Sequence, residues 1–162
     1  MVEINELLKL VDKALDKLYE NEHELFESDA SERNLVFHFS RYFIELFEKY
    51  NKEKIYCVDC EYNRNTFNEK MYKELVYEGA THKINPDFIL HQRNSNDNNI
   101  LAIEFKKYNN RNKKERYKDR LKLKGLTDNN AVFGYRLGLF IILGREREKA
   151  EIEKYINGNL RN

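Results

Sequence analysis

Asp87, Glu104 and Lys106 are charged residues set in otherwise apolar stretches. In Ile100-Leu101-Ala102-Ile103-Glu104-Phe105-Lys106, a strand's two-residue period puts Glu104 and Lys106 on one face with small Ala102. Leu101, Ile103 and Phe105 fill the other face. Burying an unpaired carboxylate is costly, so Glu104 needs a cation. Lys106 is one candidate and a metal ion is another. Residues 84–91, with Phe88, Ile89 and Leu90 at their heart, read as a preceding strand, and the polar run 92–99 as the turn between the two. In an antiparallel pair, opposed residues have position numbers with a constant sum. Setting Asp87 opposite Glu104 makes that sum 191 and centres the turn between Ser95 and Asn96, the middle of the polar run. A single bulge would shift this register. Two adjacent carboxylates repel unless a cation or a proton intervenes. A hard divalent ion such as magnesium takes oxygen ligands and keeps several waters. It polarises a phosphoryl oxygen, activates water and stabilises a leaving oxygen. Lys106 would orient the nucleophile or offset charge in the transition state. The competing interpretation of the same residues is a charged pair at a sheet edge.

The elements that must position these residues follow from periodicity. Ile4, Leu7, Leu8, Val11, Leu15 and Leu18 predict an amphipathic helix over 3–20. A second helix is expected over 30–50, with Asp29 as N-cap, Glu32 completing a capping box, and an apolar stripe of Leu35, Val36, Phe39, Phe43, Leu46 and Phe47. A strand follows at 55–61. The polar stretch 63–82 gives no clear element, part of it being compatible with helix. After the strand at 100–105 come a basic helix over 111–124, a buried strand over 137–143 and a closing helix over 146–157. The order α, α, β, β, β, α, β, α is an α/β layout with an antiparallel start and a later crossover.

Pro86-Asp87 followed 17 residues later by Glu104-Phe105-Lys106 resembles the PD-(D/E)XK motif of restriction-endonuclease-like nucleases. The resemblance implies an αβββαβ core with a mixed sheet flanked by helices. Here that means one domain over 1–162: an N-terminal helix extension (1–28), the core (29–145) and a C-terminal helix (146–162). It also implies catalytic roles for Asp87, Glu104 and Lys106 and a Mg2+ or Mn2+ cofactor. The family often adds a glutamate on the first core helix, and Glu32 takes that place, four residues before Val36 and seven before Phe39 on the stripe facing the sheet. Asp59-Cys60-Glu61-Tyr62-Asn63-Arg64, Pro86 to His91, Glu104-Phe105-Lys106-Lys107, Asp119 to Leu123 and Tyr135 to Gly138 further resemble a group of small uncharacterised bacterial proteins of that fold. On this basis Glu61 is expected to reach the metal or hold Lys106, or else to be an exposed strand-end charge. Arg64 is a candidate phosphate contact. His91, at the end of the Asp87 strand, is a candidate neighbour of the site.

The net charge of +1 conceals an asymmetry. Residues 1–54 carry 13 acidic and 8 basic side chains, whereas 106–124 carry 10 basic and 2 acidic. Lys107, Arg111, Lys113, Lys114 and Arg116, interleaved with Tyr108 and Tyr117, suit a phosphate backbone; Lys122 and Lys124 are weaker candidates. The alternative is a solvated helix face. At 162 residues, 41% hydrophobic and 35% charged, the chain can bury a core without disulfides. Cys57 and Cys60 are too few for a structural zinc site and are expected as buried thiols. No apolar run approaches the roughly 20 residues that span a bilayer, and the acidic N-terminus is unlike a signal peptide, so a cytoplasmic location is expected. The leading expectation is a magnesium-dependent nuclease acting on DNA, as a homodimer if it cuts both strands. A non-catalytic nucleic-acid-binding or assembly module is the alternative, and a purely structural α/β protein a third.

Overall fold

The computed structural model describes residues 2–62 and 74–161. It is an α/β structure: a mixed sheet flanked by helices and preceded by a further N-terminal helix. Helix α1 (Ile4–Asn21) buries Leu7, Leu10, Val11, Ala14, Leu15 and Leu18, the face its periodicity predicted. A short α2 (His23–Glu27) leads to α3 (Glu32–Phe47). The N-cap of α3 is Ser31, whose side chain accepts from the Asn34 amide at 3.2 Å. This corrects the expectation of Asp29. A cap needs extended backbone, which Ser31 has, whereas Asp29 sits at φ 55° in the preceding turn.

The main sheet has six strands in the order β1 (Cys57–Asp59), β4 (Phe88–His91), β5 (Asn99–Lys107), β6 (Leu137–Leu143), β7 (Glu151–Ile156), β8 (Asn159–Arg161). Strands β5 and β6 are parallel; every other neighbouring pair is antiparallel. Helix α4 (Lys113–Thr127) makes the crossover between the parallel strands. Asn112 caps it, accepting from the amides of Lys114 and Glu115.

Two apolar cores sandwich the sheet. On one face α1 and α3 pack over Phe88, Leu90, Leu101, Ile103 and Phe105. Phe39 meets Phe88 and Phe105 edge-on, with centroids 5.5 and 5.0 Å apart, and Phe43 meets Phe88 at 5.1 Å. These rings fix α3 over β4 and β5, and so fix where Glu32 lies. On the other face Leu123 and Leu126 of α4 pack on Ile89, Ala102, Phe140 and Ile142. Gly138 is the tight point of that face. A Cβ there would stand 2.8 Å from Thr127 Cγ2 and 3.3 Å from Tyr155 Cβ. Gly138→Ala should therefore destabilise the fold by about 1–3 kcal/mol through overpacking, read as a lower denaturant midpoint at unchanged slope.

Two segments differ from expectation. Residues 74–83 form a separate hairpin of β2 (Glu74–Tyr77) and β3 (Ala80–Lys83), with no helix there; residues 63–73 of the unassigned stretch lie outside the described residues. The closing helix over 146–157 is instead a 3-10 turn at Arg147–Lys149 followed by the β7–β8 hairpin. Asn157 and Gly158 both take positive φ (50° and 70°), as a tight hairpin turn requires. That Asn-Gly pair sets a hairpin where the sequence was expected to close on a helix. No described helix is long and apolar enough to cross a membrane.

Candidate metal centre

The β4–β5 register has the sum read from the sequence: Phe88 pairs with Ile103, Ile89 with Ala102 and Leu90 with Leu101. The pairing shifts only beyond Leu90. Pro86, with no amide hydrogen, precedes the ladder, so Asp87 stands just outside strand β4, beside the end of β5. Its carboxylate accepts from the Phe105 amide at 2.8 Å.

Glu104 is 1% exposed. One oxygen accepts from Lys122 Nζ at 2.7 Å, and the other, Oε1, is buried without a hydrogen-bond partner. Lys106 Nζ donates to Glu32 Oε1 at 3.1 Å and to the Phe105 carbonyl at 2.8 Å. It also lies 3.1 Å from Asp119 Oδ2, an ion pair without hydrogen-bond alignment. Lys122 Nζ is 3.0 Å from Asp119 Oδ1. Glu32 is held a second time, accepting from the Lys107 amide at 3.0 Å. Asp87, Glu104, Lys106 and Glu32 thus lie in one network, together with two residues of α4 that the motif did not supply. Asp119 and Lys122 fall in helical phase with the buried Leu123 and Leu126. That phase was the available signal, whereas the basic character of the whole segment set Lys122 among the weaker phosphate-contact candidates.

Burial pushes Asp87 up to about 6, against the lowering pull of the Phe105 amide, Lys106 and Lys122. Burial and then the nearby Asp87 charge push Glu104 well above the ordinary carboxylate range, with Lys122 acting against both. Burial would by itself lower Lys106, but Asp119, Glu32 and Asp87 outweigh it and hold the ammonium above its ordinary value. Lys122 is held up against burial by Glu104 and Asp119. Four carboxyl groups therefore face two ammonium groups, a formal charge of −2 when all are ionised, and the upward shifts of Asp87 and Glu104 are the response to burial and to that excess.

Among the described residues, no three His, Cys, Asp or Glu side chains converge as a ready metal cage; the two lysines stand between the carboxylates. The donor set nevertheless fits a hard divalent ion. It is all oxygen, its carboxyl groups outnumber its ammonium groups four to two, and it contains an orphaned carboxylate oxygen at Glu104. Magnesium is commonly held by one or two carboxylates and retained waters, so a three-ligand cage is not needed. A cavity of about 530 Å3, lined by Glu32, Val36, Phe37, Cys60, Glu61 and Asp87, opens onto the network.

Other expected members lie elsewhere. Glu61 lines the cavity but pairs with Arg33 at 2.7 Å rather than with Lys106. Lys107 is tied to Asp29 and to the Ala30 carbonyl (2.7 Å), bracing the start of α3 and not standing free for phosphate. Arg116 donates to the Asn110 carbonyl at 2.9 Å. Arg111, Lys113 and Lys114 are exposed, and Arg64 lies outside the described residues. Cys57, in edge strand β1, is half-buried and Cys60, just past the end of that strand, is exposed, not buried as expected; Cys60 Sγ is 3.1 Å from Ser40 Oγ.

His91 is drawn away from the site to Asp59, its Nε2 at 2.9 Å, and Arg93 binds the same carboxylate. Burial raises Asp59, but the bonds from Arg93 and His91 outweigh it and hold the group well below the usual range. A depressed acid stabilises the fold above its unfolded pKa of about 3.9 and loses that contribution as pH falls. Asp59→Asn should lower stability at neutral pH and flatten its decline below pH ~4, as followed by acid titration of circular dichroism.

No family model, curated protein or solved structure matches the chain.

Proposed function

We propose that the chain is a divalent-metal-dependent nuclease of the PD-(D/E)XK kind, hydrolysing phosphodiester bonds in DNA with Mg2+ or Mn2+. The observation that carries this reading is the fully buried Glu104, with one oxygen unpartnered, in a cluster where four carboxylates face two ammonium groups. A buried carboxylate without full pairing costs several kcal/mol, which a cluster serving stability alone has no reason to carry. The chain order of α3, β1, β4, β5, α4 and β6, with the crossover between parallel β5 and β6, supports the same reading: it is the αβββαβ order, with the β2–β3 hairpin as an insertion.

In this reading Asp87 and Glu104 hold the metal, and Glu32 and Glu61 border the cavity through which a phosphate reaches it. When bound, the metal supplies Lewis-acid polarisation of the phosphoryl oxygen and lowers the pKa of water. Lys106, its ammonium held against burial above its ordinary value by Asp119, Glu32 and Asp87, suits a donor role toward the developing negative charge. Glu32 and Asp119 grip its ammonium from two helices and set its position. Lys122 holds one Glu104 oxygen, leaving the other for the metal.

The test is incubation of the purified protein with plasmid and single-stranded DNA, in Mn2+, Mg2+ or EDTA, beside Asp87→Ala. Cleavage that needs the metal and disappears in the variant is the expected result. A wild-type protein that neither cuts nor binds metal would remove the reading.

A further inference from the structure

The substrate can be narrowed further, on the basis of the nuclease reading. Exposed aromatic rings include Phe37, Tyr108 and Tyr117, at 62%, 47% and 51% exposure. All three belong to the chain segments that build the site. Phe37 lies five residues beyond Glu32 on α3, Tyr108 directly follows Lys106 and Lys107 at the end of β5, and Tyr117 precedes Asp119 by two residues on α4. Neighbouring rings of the same elements, Phe39, Phe43 and Phe105, are fully buried.

Phe37 also lines the cavity that contains Glu32 and Asp87, and Val36 and Cys60 extend its apolar wall. At about 530 Å3 the cavity is the size of a small-ligand cleft. With a divalent ion held at Asp87, as the nuclease reading requires, an occupant would bring a phosphate to that ion and a flat apolar face to Phe37, beside the Arg33–Glu61 pair that also borders the cavity. A nucleotide whose base has left the stack does both. A base inside a duplex does not, since its neighbours cover both faces. On the outer surface of α4, Tyr117 follows exposed Lys113 and Lys114 by one helical turn and adjoins exposed Lys118. A ring among cations is the arrangement that binds single strands without reading sequence.

We propose that the substrate is single-stranded nucleic acid, with an unpaired base stacked on Phe37 beside the phosphate at Asp87 and a more distant base on Tyr117.

The test is binding, measured apart from cleavage. Fluorescence anisotropy in Ca2+ would compare a labelled oligothymidylate with a hairpin duplex of equal nucleotide number. The single strand should bind about tenfold more tightly or better. Phe37→Ala and Tyr117→Ala should each weaken single-strand binding about fivefold or more and leave duplex binding unchanged. Phe37→Trp should keep the affinity, and Ile44→Ala, an exposed change further along α3, should have no effect. Equal affinity for the two forms, binding of neither, or aromatic variants that bind like wild type would overturn the proposal. Asp87-dependent cleavage of duplex plasmid without strand preference overturns it and leaves the nuclease reading standing. Ring-dependent single-strand binding by a protein that never cuts upholds the strand preference and removes the nuclease reading.

Discussion

Glu104→Gln should lower metal-dependent cleavage by about three orders of magnitude and, in the same protein, raise the melting temperature measured in EDTA at pH 8. The first effect follows from the metal. Its contribution to the transition state is several kcal/mol, and each 1.36 kcal/mol is a decade in rate. The second follows from burial. Glu104 is 1% exposed, one of its oxygens has no partner, and burial and the Asp87 charge both oppose its ionisation. An amide of the same shape removes that cost and still accepts from Lys122, which keeps Asp119 as its counter-ion. Stabilisation on removal of a functional charge is the expected trade at a site built for something other than stability. If Glu104→Gln cut at the wild-type rate, the carboxylate would have no part in the chemistry. If it melted lower in EDTA, the Glu104–Lys122 pair would be a net stabilising contact.

The second large effect couples protons, metal and folding. A carboxyl whose folded pKa is raised keeps its proton in the native state after the unfolded chain has lost it. Its favourable contribution is therefore complete below the unfolded value, about 3.9, and is lost as pH rises through the folded value. For Asp87 the window is about 4 to 6, and the loss is about 3 kcal/mol at 1.36 kcal/mol per unit. Glu104 acts in the same direction. About half of the Asp87 loss, about 1.4 kcal/mol, falls above pH 5, so in EDTA the melting temperature should fall between pH 5 and pH 8 by about 3–6 °C from Asp87 alone, for a chain of this length. Mn2+ at about a hundred times its dissociation constant should return about 2.7 kcal/mol at pH 8. At pH 5 it should return little, because the ligands hold protons. Asp87→Asn should flatten the EDTA slope and weaken the response to metal together. A wild-type melting temperature that rises from pH 5 to pH 8 in EDTA, or a metal response equal at both, would show that the cluster is not short of positive charge.

The part of the site that could be read in the sequence is the part set by short-range geometry. Glu104 and Lys106 interrupt an apolar strand, so the two-residue period assigned their face, and the polar turn at 92–99 was symmetric enough to fix Asp87 opposite Glu104. Glu32 could be placed because the stripe of α3 runs through Val36 and Phe39. Asp119 and Lys122 were harder. Their meeting with Glu104 depends on α4 crossing the sheet at one particular height, which no local pattern encodes. Their phase with Leu123 and Leu126 was visible but was masked by the surrounding cations. The C-terminal hairpin is the opposite case: a strong local signal, the Asn157-Gly158 turn, marks strands where a closing helix was expected. At the start of α3 two capping residues competed, and backbone conformation at Ser31 decided between them.

The strands at the two margins of the six-stranded sheet, β1 and β8, are three residues long. A long, flat margin is a template on which a second chain can extend the sheet, and natural proteins shorten or charge such margins to prevent it. Here each margin offers only a few backbone groups, and β8 ends in Arg161. Extension of the six-stranded sheet would therefore be a poor route to self-association. Concentrated samples should resist fibrillar growth even when the acidic centre is left without its counter-ion.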